Sequence, residues 1–317
     1  MKPNLVLNEC SLSEASDVRT ARERMEVLVK TIRTAMEAGA DRGLRCQEDF
    51  NTASLAPEYP LSKWRNDRDV DRELRRYVGR LITYYPFLKG IEDQELLELE
   101  QISEFRLERD SICGLGMAYL LSGMAVSFAS EERWEQSNID IIMDRLSHSG
   151  EIVTETVAVV HASREDHVIF HKQWFQRRNA LFFKNGNALL EKASEVFPHL
   201  EFSDESQRQL RSTLGNDSVF RLVVGKLEGL ERYCNAWSDG PFDPSGVPGK
   251  VTPESAATLD KFGAEHTFRC PDGERRTFSW HVRVTKGDRI YFFPDKTRRQ
   301  VIIGHVGAHL PTVKHPD

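Results

Sequence analysis

Between Ser238 and Thr252 the chain reads SDGPFDPSGVPGKVT, and this stretch constrains the fold more than any other. Pro241, Pro244 and Pro248 lock the backbone and lack an amide proton, so no helix runs through them and no central strand contains them. Gly240, Gly246 and Gly249 add turn freedom to the same segment. Upstream, apolar residues recur at three- and four-residue steps; downstream, short runs of β formers follow one another. The segment is a boundary.

The upstream spacing predicts helices. Val18, Ala21, Met25, Leu28, Val29, Ile32, Ala35 and Met36 mark the first, which stops at Gly39. Leu74, Tyr77, Val78, Leu81 and Ile82 mark a second, entered through Asp67 to Asp71; Leu96, Leu97, Leu99, Ile102 and Phe105 mark a third. The β-branched runs Ile139 to Ile142 and Ile152 to Val160 predict a small sheet. Helical spacing returns over Arg164 to Phe183, Ala188 to Val196, Asp204 to Leu214 and Val219 to Trp237. Beyond the boundary, Thr277 to Thr285, Arg289 to Phe293 and Val301 to Val306 predict a three-stranded antiparallel meander. The expected class is α+β. An α-rich unit with a small sheet would span 1–200, and a small αβ module 201–317, with helix 219–237, linker 238–252 and meander 266–310. Helix 219–237 is expected to pack on the meander.

A chain of 317 residues is long enough for two domains, and 39% hydrophobic with 29% charged residues suits a globular protein. Cys10, Cys46, Cys113, Cys234 and Cys270 are odd in number and form no CxxC pair, which predicts neither a zinc ribbon nor a disulfide framework and favours a reducing cytoplasm. MKPNLVLNEC lacks the apolar run of a signal peptide. Ser111 to Ser130 carry no charge, but three glycines and the absence of a one-sided Lys/Arg flank predict a buried core segment, so no membrane partner is expected.

Charge is unevenly spread. From His266 onward ten Lys/Arg face five Asp/Glu, leaving +5 there and −11 in the rest of a chain whose total is −6. Five of the ten histidines share this basic end. A small basic, His-rich β module on an acidic carrier points toward a polyanion. Strand alternation then sorts side chains. Phe278, Trp280, Val282 and Val284 would share one face with Ile290 and Phe292. The other would collect His281, Arg283, Arg289, Tyr291 and Phe293. That sorting requires an odd loop, here Lys286-Gly287-Asp288, with Thr285 opposite Arg289, Val284 opposite Ile290 and Val282 opposite Phe292. The strand after it adds His305 and His309, with ambiguous facing because both its sides read as apolar.

Such a face suits RNA: arginines neutralise phosphate, rings stack on unpaired bases, and His or Tyr moves a proton in cleavage. The stretch from about Val219 to Leu310, with RTFSWHVRV, DRIYFF and QVIIGHVGAHLP, resembles the RelE/ParE-type toxin superfamily. The resemblance covers under a third of the chain. It implies a compact αβ fold and metal-independent RNA cleavage from a basic, aromatic sheet face, with Arg283 and Arg289 at the basic positions and His305 or His309 as the proton-transfer residue of the tail. Superfamily members that poison gyrase lack nuclease activity, so a non-enzymatic binding module is the alternative. The expected catalytic set is His281, Arg283, Arg289, Tyr291 and His305, with Tyr291 beside Arg283. The expected nucleic-acid contacts are Arg275, Arg276, Lys286, Phe293, Arg298 and Arg299. No cofactor or metal is expected. The partners would be RNA, including ribosome-bound mRNA, and a protein for the acidic N-terminal domain, as in a toxin or antiphage-defence effector.

Other motifs are weaker. His167 and His171 (HVIFH) with His161 have zinc-like spacing, but Val168 stands where HExxH needs Glu. Arg164 and His171 fit the loose Arg-x(4–6)-His pattern of HEPN ribonucleases. Gly114-x-Gly116 has Tyr119 in place of a third glycine, and no P-loop or GxSxG occurs. Glu131, Glu132, Asp140 and Asp144 read as a solvated acidic face.

Overall fold

The computed structural model describes residues 2–146, 150–212 and 218–314. The chain is α+β and divides into two compact units, residues 2–91 with 96–179, and residues 92–95 with 180–317. Among the described residues no helix is long and apolar enough to cross a membrane. The charge-free run instead holds the largely buried helix Gly114–Leu120 and the buried strand Met124–Val126.

The sheet of the first unit is not small. It has eight strands. Leu5–Leu7 lies between Gly43–Arg45 and Met124–Val126, all parallel, and Ile82–Tyr84 extends Gly43–Arg45. Ile152–Ala162 pairs parallel with Met124–Val126 and antiparallel with Asn138–Leu146, which pairs onward with Ser103–Leu107. Four of the parallel strands are only three residues long. Where both faces of such a strand are buried, neither length nor alternation betrays it in a sequence. Leu5 and Leu7 meet Met25, Leu28 and Ile32 of the helix Val18–Glu37, while Val6 faces a second core with Leu115, Ala118 and Trp134. Asp17 caps that helix by accepting from the Thr20 amide.

The continuous part of the second unit starts at Ala180 and not near residue 201. The reason is packing: Leu189, Ala193 and Phe197, on or just after the helix Gly186–Val196, share a core with Phe202, Leu227 and Val282. The helix predicted over 204–214 is Asp204–Arg211, and Leu214 lies outside the described residues. The meander is Trp280–Arg283, Asp288–Asp295 and Gln300–Ala308. Two edges complete a five-stranded sheet, Leu200–Phe202 in parallel and Val251–Pro253 in antiparallel pairing. The second edge arises from the end of the Pro/Gly stretch, and Pro253 is tolerated because it sits on an edge. The helix Ser218–Ala236 covers one face through Phe220, Val223, Leu227 and Leu230 against Val282, Ile290, Phe292 and Ile303.

Two expectations about the meander need correction. Arg283, not Thr285, stands opposite Arg289, and the Val284 amide donates to Asp288, so the loop is Thr285-Lys286-Gly287. The slip is two residues, which preserves parity, and the sorting of faces survives. Phe278, however, does not join Trp280. The strand breaks at Ser279, Arg275–Thr277 pairs with Thr267–Arg269, and Phe278 is fully buried with Cys270, Tyr291 and Ile302 in a core on the opposite face. That face is therefore covered over much of its area.

A bulge explains the ambiguous last strand. Tyr291 pairs with His305 but Phe292 pairs with Ile303, leaving Gly304 as the extra residue. The Phe278 ring lies over Gly304, where an added Cβ would come within 2.4 Å of it. Gly304→Ala is expected to destabilise the second unit by about 1–3 kcal/mol, the usual scale for forcing a methyl into a packed core, read as a lower urea midpoint. An unchanged midpoint would mean that Phe278 does not pack there.

Candidate functional site

The sheet face opposite the helix Ser218–Ala236 gathers titratable groups. His281 pairs across the ladder with Tyr291, and Tyr291 with His305. His309 follows the last strand, and its ring lies 5.7 Å from that of His281 and 6.2 Å from that of Tyr291. Glu254, just after the edge strand Val251–Pro253, is placed by donating its amide to the Ser279 carbonyl. Its Oε1 lies 3.0 Å from His281 Nδ1, a charge contact without the alignment of a hydrogen bond. The His281 and Glu254 side chains are only 12% and 7% exposed, and Tyr291 is fully buried. A carboxylate, two imidazoles and a phenol converge.

Hydrogen bonds assign roles. His309 Nδ1 lies 2.7 Å from the Leu310 carbonyl, so a neutral ring carries its proton on Nδ1 and its lone pair on Nε2. His281 Nε2 meets Thr252 Oγ1 at 2.8 Å. The Tyr291 hydroxyl accepts from the Leu310 amide at 3.3 Å and lies 3.4 Å from Glu254 Oε1. His305 is held at Nε2 by the Ala308 carbonyl and at Nδ1 by Gln209 Nε2, and Gln209 Oε1 accepts from the Val306 amide, so the ring is part of a brace along its own strand. Burial lowers the His309 pKa below the usual histidine value, with Arg289 and His281 adding to the effect. Burial pushes the Tyr291 hydroxyl above its usual range, and Glu254 adds to that. Burial alone would raise the Glu254 carboxyl, yet the neighbouring His281, His266 and His309 hold it below its ordinary value.

Arg283 and Arg289 face each other on neighbouring strands at the hairpin end. Arg289 Nη1 donates to the carbonyls of Thr285 and Asp288 at 2.8 and 2.9 Å, which folds its guanidinium over the turn. Tyr291 faces His281, not Arg283. The remaining basic candidates are largely engaged. Arg298 forms a bidentate pair with Glu201 at 2.6 and 2.9 Å and a third contact with Asp295; Arg276 forms a bidentate pair with Asp272 at 2.8 and 2.6 Å. Phe293 packs on Phe278 under the Arg276 guanidinium and does not present a stacking face. Lys286 and Arg299 are exposed, and Arg275 donates to the Thr267 carbonyl at 3.2 Å.

Two participants were invisible in the sequence. Glu254 sits in no motif, at the end of a turn-rich stretch. His266 is fully buried beside Tyr291, with Nε2 on the Pro311 carbonyl and Nδ1 without a hydrogen-bond partner. Metal chemistry also fits. Single ligand atoms of Glu254, His281 and His309 lie within 4.8 Å of one another, and among the described residues no other such group forms. Two imidazoles and a carboxylate are the donor set of an open catalytic zinc site. His161, His167 and His171 form no such group. His161 Nε2 is bonded to Ser127 Oγ and His171 Nε2 to the Ser137 carbonyl. Arg164 pairs with Glu135 and Asp144 with Arg106, so the HEPN-like and acidic-metal patterns are consumed locally. No family model, curated protein or solved structure matches the chain.

Proposed function

We propose that the second unit is a metal-independent ribonuclease of RelE-like type, the effector of a toxin or antiphage-defence system, acting on RNA that includes ribosome-bound mRNA. The observation that carries this reading is the convergence of Glu254, His281, Tyr291 and His309 beside the facing pair Arg283 and Arg289. In this reading His309 Nε2 takes the proton of a ribose 2′-OH, and the oxygen attacks the adjacent phosphorus. The P–O5′ bond breaks as His281, held at Nδ1 by Glu254, gives the departing oxygen the Nε2 proton that it otherwise shares with Thr252 Oγ1. The products are a 2′,3′-cyclic phosphate and a 5′-OH, and the two arginines offset the charge of the phosphorane between them. Tyr291 does not reach solvent; it orients Glu254 and the Leu310 turn that fixes His309.

A second reading rests on the same Glu254, His281 and His309, which could hold a divalent ion that activates water. Incubating the purified protein with total RNA, with and without EDTA, separates these. Cleavage that persists in EDTA and leaves cyclic-phosphate ends is the expected result. Cleavage abolished by EDTA and restored by zinc favours the metal centre. No cleavage in either condition leaves the protein a binding module.

A further inference from the structure

The helices Leu61–Asn66 and Arg72–Arg80 of the first unit line a groove of about 620 Å³ with five arginines: Arg65, Arg72, Arg75, Arg76 and Arg80. On the second helix, Arg72, Arg76 and Arg80 recur every four residues with Arg75 beside them, while Leu74 and Val78 turn into the core. Such a like-charged row weakens a helix by about 0.2–0.5 kcal/mol per adjacent pair, so it calls for a counter-charge. The neighbouring acids do not supply one. Asp67 is bound to Arg22 and to the Tyr59 hydroxyl, Asp69 to Arg22, and Asp71 caps the second helix by accepting from the amides of Glu73 and Leu74. None of the five arginines has a carboxylate within ion-pair distance among the described residues. Arg75 Nε is buried with no hydrogen-bond partner at all.

The rest of the lining decides the class of ligand. Ser62, Asn66 and Gly79 complete it, so no aromatic ring is present to stack a base and no apolar pocket to anchor a peptide. Guanidinium forks match carboxylate and phosphate oxygens, and a row of them repeating every four residues without an apolar anchor suits the regularly repeated charge of a phosphate backbone. We propose that this groove binds the phosphate backbone of nucleic acid, independently of base sequence and whether or not the second unit cleaves RNA.

The test is the affinity of the full chain for a fluorescent single-stranded RNA of mixed sequence, across a salt series and in EDTA. Arg72→Gln/Arg76→Gln/Arg80→Gln should weaken binding at least tenfold, and the slope of log affinity against log salt should flatten by about 2, the value for three lost phosphate contacts to a single strand. Gly79→Glu is the second variant. A Cβ at residue 79 stands 3.3 Å from Arg65 Nη2, so the new carboxylate would neutralise the groove in place, and replacing a helical glycine favours folding. It should lose affinity to a similar degree. Wild-type affinity in both folded variants would overturn the proposal. So would ATP binding as tightly as the oligomer, which would mark a nucleotide site instead.

Discussion

His309→Asn should lower RNA cleavage by about 10²–10⁴-fold while leaving the urea midpoint unchanged, the usual scale for removing a positioned general base. His281→Asn should fall in the same range, whereas His305→Asn should cost activity only through stability, because both its ring nitrogens already serve backbone and Gln209. The pH profile gives a sharper readout. The His309 pKa is depressed by burial, so the ring stays unprotonated and active to lower pH than a free imidazole would. The acid limb of the rate should therefore lie below the ordinary histidine value and disappear with His309→Asn. Full activity in both folded His281 and His309 variants would place the chemistry elsewhere.

The second large effect concerns stability of the first unit. His161 is fully buried at the end of the strand Ile152–Ala162, and burial lowers its pKa from 6.5 to about 4. Asn8 Nδ2 donates to Ser127 Oγ, Ser127 faces His161 Nε2 at 2.7 Å, and His161 Nδ1 faces the Gln136 carbonyl. Every group is satisfied only while the imidazole is neutral. Above pH 6.5 neither folded nor unfolded chain protonates it, and the full stability is present. Between pH 6.5 and about 4 the unfolded chain takes up a proton that the folded one refuses, so stability falls as pH falls. A shift of that size corresponds to about 3 kcal/mol. Urea titrations at pH 7.5 and 4.5, followed by Trp64 and Trp134 in the first unit, should show the loss, and His161→Asn should flatten it. An equal pH dependence in the variant would mean that another group is responsible.

Period-two and period-3.6 patterns made much of this protein legible in its sequence. The helices Val18–Glu37 and Ser218–Ala236 and the meander each have one buried face that repeats along the chain, and the β-branched runs from Ile139 and Ile152 mark the paired strands Asn138–Leu146 and Ile152–Ala162. The same rule brought His281 and Tyr291 to one side of the sheet, and it survived a slipped loop because the slip was even. What it could not reach depends on residues far apart in sequence. Glu254 becomes a neighbour of His281 only because a turn-rich segment ends as an edge strand. The candidate basic surface of the second unit shrinks in part because Arg298 finds Glu201, 97 positions away, while regional charge counting concealed the arginines of the first unit among Asp67, Asp69 and Asp71. For a pair such as Arg298 and Glu201, tertiary structure decides which carboxylate the guanidinium meets. Coulomb attraction and hydrogen bonding act over a few ångströms of space, and a linear sequence does not report those distances.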